Sequence, residues 1–186
     1  MKYLLNGYET ERLRFRLVQL QDAQAWLSFV STPEAIKFLG LKPEDTPEER
    51  CRKWFVRVEE RYANDLGGFN ALVSKLTGEF VGMAGLLVQE VDGITELEVS
   101  YSIMPEHWHK GYASEAARLC RDVAFQQNYA ASLISIIHPE NVASQRVAIQ
   151  NGMHLSKHAM FREMPVLIYQ MDYSNWQYNK SNHLND

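Results

Sequence analysis

Polar and apolar side chains alternate along Arg12-Leu13-Arg14-Phe15-Arg16-Leu17, the period of a strand with one wet face. The period then changes to that of helices. Asp22 precedes Ala23, Trp26, Leu27 and Val30 and is expected to cap a helix carrying them. Ser31-Thr32-Pro33 opens a short second helix through Ile36 and Phe38. Thr46-Pro47-Glu48-Glu49 is a cap, a first-turn proline and acids that suit the helix dipole, so a third helix should run to about Tyr62. The middle of the chain reads as a meander: strands over 69–75, 79–89 and 95–103. A turn at Thr77-Gly78 and an Asp92-Gly93 hairpin connect them, and Gly82 and Gly85 mark a bulge or a weak point. Met104-Pro105 stops the third of these strands. Gly111 then opens a helix to about Gln127 with Ala113, Ala116, Ala117, Cys120, Val123 and Ala124 as its apolar stripe. A strand over 132–137, a helix over 141–151 ended by Gly152, and strands over 153–162 and 166–173 complete the pattern.

That order predicts an α/β (α+β) fold: a mixed, mostly antiparallel central sheet of about seven strands with helices on both faces. At 186 residues and 46% hydrophobic, the chain suits one domain, over 1–176, followed by a polar and loose tail over 177–186. A net charge of −4 without a basic run argues against nucleic acid as partner, and weakly favours a cationic or amine partner if it signifies more than solubility. Neither Cys51 nor Cys120 belongs to a C-x-x-C pair, and His107 and His109 lack further ligands nearby, so no metal is expected. With no stretch of 18 apolar residues and no signal peptide, the expected location is cytoplasmic, away from membranes.

The chemistry concentrates where the strand ending at Ile103 passes into the Gly111 helix. A helix N-terminus presents free N–H groups and a partial positive charge, a ready anion site. Gly111 permits close approach or positive φ, Ala113 keeps the approach open, Ser114 offers a hydroxyl and Lys110 a cation. By spacing alone this is either an anion cradle or an ordinary glycine before a helix. The patterns of a P-loop and of a dinucleotide fingerprint are both absent.

Trp108-His109-Lys110-Gly111-Tyr112-Ala113-Ser114 resembles the pyrophosphate loop of the GNAT N-acyltransferases, [QR]-x-x-G-x-[GA], with Gly111 and Ala113 at the fixed positions. Trp108 in place of Arg or Gln is similar to the branch containing ribosomal-protein N-terminal acetyltransferases, which often has glycine where His109 stands. The opening strand, the hairpin around Gly78 to Gly85, and Asn141-Val142-Ala143-Ser144 followed by Asn151-Gly152-Met153 resemble further motifs of that family in the same order.

The resemblance implies transfer of an acetyl group from acetyl-CoA to a primary amine, of a protein N-terminus or a small molecule, by direct attack in a ternary complex. The strand ending at Ile103 would part from the 132–137 strand. Pantetheine would lie in the gap against the backbone of Ile103 and Met104. The pyrophosphate would meet Trp108, His109, Lys110, Gly111, Tyr112, Ala113 and Ser114. Glu98 is the implied general base, with Glu96 two residues away on the same face. Solvated charges on an exposed sheet face are the plain alternative for both. Asn141 and Ser144, one helical turn apart, are expected to meet the donor, with Ser144 placed to protonate the departing thiolate. A tyrosine often serves four residues further on, but Ala148 stands there. That gap keeps a second possibility open: a non-catalytic acyl-CoA sensor or interaction module on the same fold. A monomer or a homodimer fits equally.

Overall fold

The computed structural model describes residues 2–42 and 44–182. Its seven strands are β1 (Leu13–Leu17), β2 (Gly67–Ser74), β3 (Phe80–Val91), β4 (Ile94–Ile103), β5 (Ser132–Ile137), β6 (His154–Phe161) and β7 (Met164–Asp172). They form one sheet in the order β1-β2-β3-β4-β5-β7-β6. Every neighbouring pair is antiparallel except β4 with β5. The helices are α1 (Ala23–Val30), α2 (Pro33–Ile36), α3 (Pro47–Ala63), α4 (Tyr112–Gln126), α5 (Val142–Gln150) and α6 (Tyr173–Asn182).

Strand alternation gives the sheet two apolar faces. Leu72, Leu86, Leu97 and Val99 pack with Ala116, Cys120 and Phe125 of α4. Phe69, Met83 and Leu87 face the other way, onto Trp26 of α1 and Trp54 and Val58 of α3. Helix α3 buries Cys51, Trp54, Phe55 and Val58, an i, i+3, i+4, i+7 stripe. It begins in a capping box: Glu49 N–H donates to Thr46 Oγ1 (3.2 Å) and Thr46 N–H to Glu49 Oε2 (2.9 Å).

Two local readings change. Asp22 does not cap α1. It ends a 3₁₀ turn with helical dihedrals, and its carboxylate accepts from Arg16 (2.6 and 2.7 Å) and from the Gln19 N–H (2.8 Å). Residues 177–182, read from the sequence as part of a loose tail, continue α6; residues 183–186 lie outside the described residues. The bulge falls where glycine implied it: the β2–β3 register skips Val81 beside Gly82. Gly82 has φ +149°, and a Cβ there would stand 2.3 Å from the Ser102 carbonyl oxygen of β4. No helix among the described residues is long and apolar enough to cross a membrane.

The feature that matters for function is the parallel pair at the centre. β4 and β5 share a single rung, Glu98 opposite Ile134. One side chain adds to it, Ser135 Oγ donating to the Val99 carbonyl at 2.9 Å. Beyond that rung the strands part.

Candidate active site

The parting of β4 from β5 opens a cleft of about 910 Å³. It runs from the loop before α4, past β4 and β5, to α2, α3 and the β6–β7 turn. In β4 the peptide groups alternate sides. Met104 N–H donates to Val81 O of β3 (2.9 Å), whereas the Val99 and Ile103 carbonyls are bonded from the other side. The same alternation turns the Tyr101 peptide toward the gap.

Of the backbone expected to meet pantetheine, the Met104 N–H and the Ile103 carbonyl already have partners. Met104 is closed: its N–H is used inside the sheet and its side chain is 2% exposed in the core. The Ile103 carbonyl accepts from Trp108 Nε1 at 2.7 Å. Trp108 therefore fastens the loop to the end of β4. Tyr101, which the sequence reading passed over, turns its peptide to the same side, where the Ile103 N–H also faces. The signal was available in the strand alternation, but which of the two peptide sets faces the gap depends on pairing with β3.

At the other end of the loop Gly111 is the N-cap of α4, with φ +81°, and His109 is also left-handed at φ +59°. These two residues turn the chain so that α4 starts at the cleft. Arg12 braces the turn from β1. Its guanidinium donates to Glu115 Oε2 (2.6 Å) and to the Lys110 carbonyl (2.9 Å), and lies over the Tyr112 ring at 4.6 Å. Burial pushes the Glu115 carboxyl up, but the Thr10 hydroxyl, the Arg12 amide and the Arg12 guanidinium outweigh it and hold the group ionised. Trp108, His109, Gly111, Tyr112, Ala113 and Ser114 all line the cleft. Lys110 does not; its ammonium lies 3.5 Å from His107 Nδ1. The Ser114 hydroxyl donates to Gln150 of α5 at 2.9 Å.

Glu98 stands at the last rung before the strands part. It is 7% exposed, which removes the reading of a solvated charge. Gln89 Nε2 donates to its Oε2 at 2.7 Å. Burial raises its pKa above the ordinary carboxylate value, and Gln89, Arg61, Ser100 and Arg162 offset this only in part. Glu96 lies outside the cleft lining.

Asn141 caps α5 as expected, its Oδ1 accepting from the Ser144 N–H at 3.1 Å. Both residues line the cleft. The Tyr101 hydroxyl donates to the Ser144 carbonyl (3.1 Å), joining α5 to β4 across the gap. Ala148 is 2% exposed, packs into the core and is not among the residues that line the cleft. The α2 segment reaches the far rim: Lys37 pairs with Glu140 (3.1 Å), and Phe38 stacks on His138 with ring centroids 5.0 Å apart.

Comparison with known proteins agrees with this geometry. Residues 12–154 match the family profile described as an acetyltransferase (GNAT) domain. The uncharacterized protein YkkB of Bacillus subtilis (strain 168) is 32% identical over 163 residues, 87% of this chain and 92% of that protein. The acetyltransferase from Agrobacterium tumefaciens str. C58 superposes with a TM-score of 0.76 at 26% identity, over 92% of this chain and 96% of that one. The spermidine N-acetyltransferase from Vibrio cholerae, solved with CoA and spermine, shares the fold (TM-score 0.70, 14% identity, 90% of this chain and 99% of that one).

Proposed function

This chain belongs to the GNAT acetyltransferase family and takes acetyl-CoA as its acyl donor, and on that premise we propose that it transfers the acetyl group to a primary amine by direct attack in a ternary complex, with Glu98 as general base. The observation that carries the reading is a buried carboxylate of raised pKa at the point where two parallel strands part. A carboxyl whose pKa is moved toward neutrality is matched to accepting a proton from an ammonium at working pH.

The residues fit the donor. The open side of β4 offers the Tyr101 peptide to an amide-bearing arm, and the turn through His109 and Gly111 aims the α4 N-terminus into the same cleft. That terminus supplies N–H groups and a partial positive charge for a pyrophosphate. The amine nitrogen attacks the thioester carbonyl carbon, its proton passes to Glu98, and the C–S bond breaks as the carbonyl re-forms. The departing thiolate is protonated from solvent through the Ser144 hydroxyl, which lines the cleft on α5 and takes up a water proton as it gives its own. No residue is offered as an acyl carrier. Both cysteines are buried, and burial pushes the Cys120 thiol up to about 12.

Ser144→Ala tests the acid. Its kcat should fall by about ten- to a hundredfold, toward the lower end of what a positioned acid contributes, with acetyl-CoA affinity retained. Unchanged kcat in steady-state assays would assign the proton to water.

A further inference from the structure

At the Glu98 end of the cleft three guanidinium groups converge. Arg57 and Arg61 are one turn apart on α3, and Arg162 sits in the β6–β7 turn; all three line the cleft. None forms an ion pair among the described residues. The lining holds only two carboxylates, Glu34 and Glu98, and Lys37 of the rim is already paired with Glu140.

Donors are also in surplus. Arg61 Nη2 donates to the Leu66 and Val88 carbonyls (2.5 and 2.8 Å), while its Nε is buried with no acceptor. The indole N–H of Trp54, another lining residue, is buried without one too. Arg162 is held over the Phe161 ring at 4.9 Å, in a turn where Arg162 and Glu163 both take left-handed dihedrals, φ +50° and +65°. For non-glycine residues that conformation costs about 1–2 kcal/mol each. Burial lowers the Arg61 guanidinium, Glu98 pulls it back up, and Arg162 and Arg57 lower it further, so the three cations act on one another in one place.

The donor's phosphates do not explain the cluster. Arg61 binds the Val88 carbonyl, next to the Gln89 that holds Glu98. From Glu98 to the loop end of β4 at Ile103 is five residues, roughly 17 Å of strand. Arg61 and Arg162 favour the ionised form of Glu98 through space, but neither is ion-paired with it among the described residues, and its Oε2 accepts from Gln89.

Resting on the acyl-transfer reading, we infer that the acceptor is a primary amine that also carries a carboxylate or phosphate group. Arg57, Arg61 and Arg162 hold that anion while the amine is presented to Glu98. The anion pairs with the exposed guanidinium groups of Arg57 and Arg162 and lowers the mutual repulsion of the three cations. A polyamine would add charge of the wrong sign.

The test uses matched pairs on the CoA-loaded protein: α-amino acids against their amides, and aminoalkyl phosphates against the corresponding amino alcohols. Calorimetry on that complex reads binding, and a CoA-release assay with acetyl-CoA in place of CoA reads transfer. The anionic member of at least one pair should bind about tenfold tighter or more, the worth of a charge-assisted hydrogen-bond pair. Which pair responds separates carboxylate from phosphate. Arg162→Ala should erase most of that advantage and Arg162→Lys should keep part of it; Arg162 is exposed, and melting curves check that both variants fold. Equal binding of amides or alcohols, tighter binding of a polyamine, or no binding by any anionic amine overturns the inference. Transfer to neutral amines without preference overturns it while leaving the acyl-transfer reading intact. Preferential binding of an anionic amine that is never acetylated does the reverse.

Discussion

Glu98→Gln is expected to lower kcat by about 10²–10⁴-fold, the range for loss of a positioned general base, while acetyl-CoA affinity holds and the protein melts at a higher temperature. The three parts have one cause. Burial raises the Glu98 pKa in the folded chain. An acid with a raised folded pKa binds its proton more tightly folded than unfolded. Its stability contribution is therefore greatest below the unfolded value and declines as pH rises through the window up to the folded value. At neutral pH the ionised form costs stability, and glutamine, which cannot ionise, removes that cost while still accepting from Gln89. The gain in melting temperature should vanish in acid, where Glu98 is protonated in both states. In the parent enzyme, the acid limb of kcat/KM should inflect above the ordinary glutamate value, because the base must be ionised to act. Full activity in Glu98→Gln would remove the residue from the chemistry.

Gly111→Val should weaken acetyl-CoA binding by about ten- to a hundredfold in calorimetric titration. At φ +81° a β-branched side chain is strained by about 1–2 kcal/mol, and relaxing that strain rotates the first amides of α4 away from the cleft. A Cβ at Gly111 would also stand 3.4 Å from Arg12 Nη2, in the brace that ties the loop to Glu115 and Lys110. Part of the strain should appear as a lower melting temperature. Unchanged affinity would place the phosphates elsewhere.

Much of this site was legible in the sequence because its signals are local. Strand alternation, the Asp92-Gly93 turn (φ +52° and +75°), the Thr46 capping box and the Asn141 cap each involve residues within a few positions of one another. Glu98 was legible as a candidate, but its burial was not, since that depends on α3 and β3 packing over it. The closure of the Met104 N–H was hidden for the same reason: pairing with Val81 decides which peptides of β4 remain open. Asp22 looked like a helix cap, but a salt bridge six residues back, to Arg16, overrode the local preference. The arginines at the acceptor end come from α3 and from a turn about a hundred residues later in the chain, and no spacing rule joins them.

The central claim is direct transfer between two bound substrates, and initial rates with acetyl-CoA and amine both varied test it most directly. Intersecting double-reciprocal lines, with no acetyl group retained on protein incubated with acetyl-CoA alone, are the predicted result. Parallel lines together with a covalent acetyl-protein would contradict it.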